Sequence, residues 1–173
     1  MPSARIHDTI TLILVPPTFL VAFSITGSVD LSVVTTGAML FAGFMFGPDL
    51  DIESKQYARW GPFRFIWWPY QFIFRHRSRL SHGIILGTAI RVLYFAIMLI
   101  LLAGILLFLN QWLDPHIRAH PDLAELSKRI WKVWQAIDRR YLVAAFFGLW
   151  WGAASHTLTD WIHEVWTRTK RIF

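Results

Sequence analysis

The chain has 173 residues, of which 55% are hydrophobic and only 16% are charged, and its formal net charge is +6 at pH 7. Because a soluble domain usually contains about a quarter of charged residues, this composition favours one membrane domain over a soluble protein. The absence of cysteine excludes disulfides and thiolate chemistry, so a bound metal must be held by His, Asp or Glu. The basic residues lie between apolar runs, which favours contact with anionic lipid headgroups over binding to nucleic acid.

Four apolar stretches predict an all-α, polytopic membrane protein with four transmembrane helices in a single domain, residues 1–173. The predicted spans cover about residues 9–29, 31–48, 84–113 and 141–166, and each is near the roughly 20 residues that cross a bilayer. Pro16 and Pro17 are expected to kink the first span. A signal peptide is the alternative there, because Arg5 precedes the apolar run, but the double proline and the three later spans favour a membrane helix.

Two further segments, about residues 60–75 and 125–138, combine aromatic and basic side chains and predict helices that lie at the membrane surface. Lys and Arg also predict the orientation of the chain. Ten of them fall in the N-terminus, the 49–83 loop and the C-terminus, against six on the other predicted side. The positive-inside rule therefore places both termini in the cytoplasm of a multi-pass protein, in a bacterial inner membrane or a thylakoid membrane.

The polar residues at the ends of the spans converge on one predicted side of the membrane. They are His7, Asp49, Asp51, His76, His82, His156 and Asp160. His156 and Asp160 are four residues apart and therefore share one helix face, on which His163 also lies. Taken singly, each residue could be a helix cap, a headgroup contact or a buried hydrogen-bonding group. Their shared location instead favours a metal site.

Imidazole and carboxylate ligands together suit Zn²⁺, Mn²⁺ or Fe²⁺, and we expect zinc first. Seven ligands exceed the four of a single tetrahedral zinc, which leaves room for a dinuclear centre with a bridging carboxylate or water. Bound metal could acidify water and polarise a phosphoryl oxygen. Asp51 or Asp160 would then be the general base. Arg91, inside the third span, would either pair with Asp49 or hold a substrate phosphate.

The predicted site is compatible with three functions. The first is a metal-dependent hydrolase that acts on a lipid-linked or headgroup phosphoester at the cytoplasmic face. The second is a protein whose metal has only a structural role. The third is a carrier or an accessory subunit of a larger membrane complex, which would dock through the Trp-rich segment; an oligomer is also possible as a partner assembly. In each case the expected partners are membrane lipids with anionic headgroups.

Four motifs, taken in order, resemble a known family. They are IHD, GPDLD, RHRSRLSHG and SHTLTDW, and they extend over nearly the whole chain. The set resembles small, uncharacterised membrane metal-binding proteins common in cyanobacteria and, more distantly, the YdjM-like inner-membrane metal-dependent hydrolases. The resemblance implies metal roles for His7, Asp49, Asp51, His76, His82, His156 and Asp160. In the YdjM-like motif the two histidines of the third segment are five residues apart; here the spacing is six, and Ser81 replaces threonine.

Overall fold

The computed structural model describes residues 2–76, 78, 80–113 and 123–170. The described residues form helices and no strand, which confirms the all-α class. The α-helices are α1 Ala4–Ile13, α2 Val15–Thr26, α3 Val29–Phe44, α4 Lys55–Ala58, α5 Trp68–Ile73, α6 Leu86–Leu113, α7 Leu123–Ala136 and α8 Arg139–Thr169. Two 3₁₀ helices, Pro48–Asp51 and Gly61–Trp67, lie between α3 and α5.

The N-terminal apolar stretch is interrupted where the prolines predict a kink. Regular helix ends at Ile13 and resumes at Val15, one residue ahead of Pro16 and Pro17, which supply no N–H to the preceding turn. The chain then reverses at Gly27, whose φ of 63° lies in the left-handed region that glycine adopts most readily. This reversal sets α2 and α3 side by side.

Helices α3 and α8 pack closely and run in the same direction. Gly148 lies against the backbone of Thr35 and Met39, and Gly152 lies against the Met39 carbonyl one turn further along both helices. A side chain at either glycine would clash with α3, so the absence of a Cβ is what allows this approach. Because the helices are parallel, the turn after α3 and the last third of α8 reach the same end of the bundle.

Replacement of Gly148 by alanine tests this packing. The new methyl group would meet the Thr35 carbonyl oxygen and the Met39 amide, which are backbone atoms that a rotamer change cannot move. We expect a loss of about 1–3 kcal/mol of stability, as for other overpacked contacts, measured by thermal unfolding in detergent. The matched control is Gly37→Ala on α3, where the methyl group meets nothing within 4 Å. Equal melting temperatures for the two variants would refute the close α3–α8 contact.

The segment that follows α3 folds onto an aromatic cluster. Trp67 and Tyr70 are fully buried and pack with Phe46, which precedes the Pro48–Asp51 turn, and with Leu50 inside it. Trp67 also stacks on Phe95 of α6 at 5.8 Å between ring centroids. The same segment exposes 93% of Phe72, so it has one buried and one apolar exposed face. Its predicted location at the membrane surface, like that of α7, stays a prediction.

Three helices, rather than the four predicted from sequence, are long and apolar enough to cross a membrane among the described residues. They are Ala4–Thr26, Val29–Asp51 and Leu86–Leu109. The fourth predicted span lies in α8, which is long enough at 31 residues but carries Trp150, Trp151 and His156 within its apolar run. Indole and imidazole groups lower its hydropathy. The fourth predicted span, in α8, is therefore not among the candidate membrane helices of the described residues. Instead, α8 packs along α3.

Candidate metal centre

Two groups of three His and Asp residues meet at the end of the bundle where α1 begins and α3 ends. The first, which we name the helix-side triad, consists of His7, His156 and Asp160. The second, the loop-side triad, consists of Asp51, His76 and His82. Within each triad, one ligand atom from every residue lies within 4.8 Å of the others. Six of the seven predicted ligands thus form two sets.

Long helices position the helix-side triad. His7 of α1 and His156 of α8 are 7% and 5% exposed, and their rings stack at 3.8 Å. His7 Nε2 lies 3.4 Å from Asp160 Oδ1, and His156 Nε2 lies 3.8 Å from Asp160 Oδ2. The triad therefore brings imidazole nitrogens and a carboxylate together, a ligand set that suits a divalent metal.

The loop-side triad forms around the buried carboxylate of Asp51. His76 Nδ1 lies 2.9 Å from Asp51 Oδ1, and His82 Nδ1 lies 3.4 Å from Asp51 Oδ2. Asp51 ends the Pro48–Asp51 turn, while both histidines lie on the irregular chain between α5 and α6. The two histidines of RHRSRLSHG therefore meet the second aspartate of GPDLD.

Asp49 lies between the two triads and contacts both. Its Oδ2 is 3.1 Å from His156 Nε2 of the helix-side triad, and its Oδ1 is 3.5 Å from His82 Nε2 of the loop-side triad. Each carboxylate oxygen therefore faces a different triad. This is the arrangement of a carboxylate that bridges two ions.

The unpaired buried atoms at the centre fit metal coordination. Two ligand atoms that are each about 2.1 Å from one ion lie about 3.0–3.4 Å apart at octahedral or tetrahedral angles. The contacts across both triads are close to this range. Five buried ligand atoms also have no hydrogen-bond partner, which is rare for buried polar groups. They are His7 Nδ1, Asp49 Oδ1, Asp51 Oδ2, His82 Nε2 and Asp160 Oδ1.

The carboxylates create a strongly negative environment at His82. Burial by itself lowers the pKa of His82, but hydrogen bonds and charges from Asp49 and Asp51 outweigh burial and raise the pKa to about 9. A cation beside these two carboxylates is therefore favoured. A divalent ion would supply the same positive charge in place of the proton.

Two residues that the sequence does not single out support the helix-side triad. Gln56 of α4 donates from Nε2 to the Gly43 carbonyl at 2.8 Å and lies 3.4 Å from His156 Nδ1. Arg59 forms a two-point salt bridge with Asp8, at 3.0 and 2.6 Å, and so holds the start of α1 beside the turn. A glutamine and an arginine in a charged loop carry no sequence signal of such roles.

Arg91 lies beneath the loop-side triad and is 1% exposed. Its Nη1 donates to the Ser81 carbonyl at 2.6 Å, and its Nη2 donates to the Thr88 hydroxyl at 3.2 Å. Gly87 permits this contact, because a Cβ there would press on the Ser81 carbonyl. Arg91 therefore holds the residue that precedes His82. The catalytic roles predicted for Arg91 and Asp51 stay predictions.

A cavity of about 110 Å³ opens beside the helix-side triad. It is lined by Pro2, Ala4, His7, Asp8, Gly43, Asp49, Ser54, Lys55, Gln56, Arg59, His156 and Asp160. The loop-side residues do not line this cavity, and His163 belongs to neither triad of the described residues. The cavity has room for several water molecules or a phosphate-sized group. The centre is thus open on the helix side.

Fold and site together define a helical protein with membrane-length apolar helices and a His/Asp centre suited to divalent metal. The chain belongs to the family described as "Uncharacterized metal-binding protein (DUF2227)", whose model matches residues 2–170. This confirms an uncharacterised metal-binding family, while the YdjM-like and cyanobacterial links stay predictions.

One curated relative shares part of the chain. An "Uncharacterized protein" of Aquifex aeolicus (strain VF5) is 38% identical over 56 residues, which cover 32% of this chain and 39% of that protein. The aligned region thus spans well under half of the relative's length. No solved structure matches the chain.

Proposed function

We propose that this protein is a membrane-embedded, metal-dependent hydrolase that cleaves a lipid-linked or headgroup phosphoester. The observation that carries the proposal is the placement of Asp49 between two His/Asp triads, one of which faces a cavity. His7, His156 and Asp160 would hold one ion, Asp51, His76 and His82 the other, and Asp49 would bridge them. We expect Zn²⁺, with Mn²⁺ and Fe²⁺ as alternatives.

The embedding in a membrane is supported by the apolar helices around the centre. None of the apolar window of α6 is buried within the chain, so its side chains need an apolar environment from outside. The metal ligands lie where α1 begins, α3 ends and α6 begins, which are the ends of all three candidate spans. This location corresponds to the headgroup level of a bilayer. Both termini would lie in the cytoplasm.

The residues around the cavity favour an anionic substrate. Lys55 lines it and would attract a phosphate group, whereas the charge of Arg59 is balanced by its salt bridge with Asp8. Bound divalent ions supply an acidified water and polarise the phosphoryl oxygen. Asp160 lines the cavity and Asp51 does not, so a carboxylate oxygen of Asp160 that does not bind the ion would be the better placed to accept a proton from the attacking water.

A non-catalytic metal protein is the second candidate, and a specific observation favours it. The ligands come from α1, the Pro48–Asp51 turn, the chain before α6, and α8, so bound metal would join four distant segments. This structural role does not require an open position. An accessory role in an oligomer or larger membrane complex would also be compatible with it.

A phosphoester screen separates the two candidates. The purified protein, in nanodiscs and loaded with Zn²⁺ or Mn²⁺, is offered phosphatidic acid, polyprenyl phosphates and p-nitrophenyl phosphate. We expect release of phosphate from a lipid substrate, and loss of that activity in Asp160→Asn. Asp30→Asn is the matched control, because Asp30 is exposed in the first turn of α3, at the end of that helix away from the centre. A folded, fully metallated sample that cleaves none of these compounds would favour the structural role.

A further inference from the structure

We infer that the two halves of the centre bind their ions unequally: the helix-side triad holds a resident ion, and the loop-side triad takes an exchangeable ion that fixes the chain between α5 and α6. This inference rests on the two-ion centre of the proposed function but does not require hydrolysis. It assigns different affinities to two sets of residues with the same chemistry, two histidines and one aspartate each.

The helix-side triad is already ordered by packing. Gly43 of α3 lies against the Thr11 side chain of α1, four residues after His7. Gly152 lies against α3, four residues before His156. The two stacked rings are therefore fixed by helix contacts that do not depend on metal. Binding of an ion there requires little further ordering, which favours high affinity.

The loop-side triad depends on an irregular segment. His76 follows the end of α5 at Ile73, exposes 31% of its side chain, and reaches the centre through its 2.9 Å contact with Asp51. His82 is held from below, because Arg91 bonds to the Ser81 carbonyl at 2.6 Å. The carbonyl of Arg75, just before His76, accepts bonds from the Ser78 amide at 3.0 Å and the Ser81 hydroxyl at 3.3 Å, so its support comes from within the same segment and not from a helix. The ordering of His76 must accompany the binding of the ion, which lowers its affinity.

Asp49 links the two halves. Its Oδ1 faces His82, and its Oδ2 faces His156 next to the cavity. An ion in the loop-side triad therefore partly neutralises the negative charge of the Asp49 carboxylate, which also lines the cavity. The supply of the second ion would set the electrostatics of the open side. The charge at the open side would therefore change at metal concentrations at which the helix-side triad is already fully occupied.

Metal titration tests the inference without any substrate. Mn²⁺ is added to the metal-free protein in nanodiscs, with bound ion measured by dialysis and electron paramagnetic resonance. We expect two steps separated by at least about tenfold in affinity, with spin coupling between ions only after the second. His76→Ala should keep the tight step and lose the weak one, while His156→Ala should lose the tight step. Equal affinities in the native chain, or loss of both ions in His76→Ala, would overturn the inference.

Site-specific labelling tests the ordering of the segment. Because the chain has no cysteine, Leu80→Cys provides one attachment site for a spin label, on an exposed position two residues before His82. We expect the label to become less mobile only with the second equivalent of Mn²⁺ or Zn²⁺. Phe63→Cys, exposed on the 3₁₀ helix Gly61–Trp67, is the control and should not respond. Immobilisation with the first equivalent, or no change at either, contradicts the inference, whereas absent phosphoesterase activity would leave it intact.

Discussion

Asp49→Asn should remove both ions from the centre and reduce the proposed phosphoesterase activity to background. Asparagine keeps the shape of the side chain but loses its charge and one of the two carboxylate oxygens. Only the six residues of the two triads then remain as ligands. Without the negative charge of Asp49 between them, two divalent ions would repel each other. Changes in outer-sphere partners already cost about 10–100-fold in metal affinity, so we expect more than about 100-fold here.

The matched comparison uses three variants of the same chemistry. Asp51→Asn should lose the loop-side ion and keep the helix-side ion, because Asp51 contacts His76 and His82 but not the helix-side triad. Asp30→Asn should keep both, since Asp30 lies in the first turn of α3, at the end of that helix away from the centre. Metal content is measured by elemental analysis after dialysis, with circular dichroism as the check on folding. If folded Asp49→Asn retains two ions, Asp49 does not bridge them.

The convergence of the seven ligands could be predicted from sequence, because charged and imidazole groups stand out at the ends of apolar runs. The prediction used four alternating spans, whereas the structure achieves the same convergence through pairwise helix contacts. His7 meets His156 and Thr18 meets Trp151, so α1–α2 runs antiparallel to α8. The polar pattern was therefore more informative than the hydropathy of α8, in which tryptophan and histidine dilute the apolar run.

The division of the ligands into two halves could not be predicted. Asp49 and Asp51 are two residues apart in sequence. Only the 3₁₀ geometry of the Pro48–Asp51 turn makes Asp49 face both triads, whereas Asp51 faces the loop-side histidines alone. The role of Arg91 also depended on tertiary structure. A buried arginine in an apolar helix indicates a partner, and the hydrogen bonds of Arg91 in the structure go to the Ser81 carbonyl and the Thr88 hydroxyl.

Removal of the metal should lower the thermal stability of the protein by a large amount. Three carboxylates meet at the centre, and five ligand atoms there are buried without a hydrogen-bond partner. Without a cation these atoms retain an unfavourable desolvation free energy. An ion present at about 1,000 times its dissociation constant stabilises the folded state by about 4 kcal/mol. For a chain of this size that corresponds to a shift in melting temperature of about 8–16 °C.

The measurement compares melting temperatures in nanodiscs before and after chelation and dialysis, followed by addition of Zn²⁺ or Mn²⁺. His156→Ala with Asp160→Asn is the control, since it removes two ligands of the helix-side triad and should make stability nearly insensitive to the chelator. The shift should be fully reversed by metal in the native chain, because the helix-side ligands are carried by helices whose packing does not depend on the ion. A native chain that melts at the same temperature with and without metal would show that no ion binds the folded state in preference to the unfolded state. Both the structural role and the metal-dependent hydrolase would then fail.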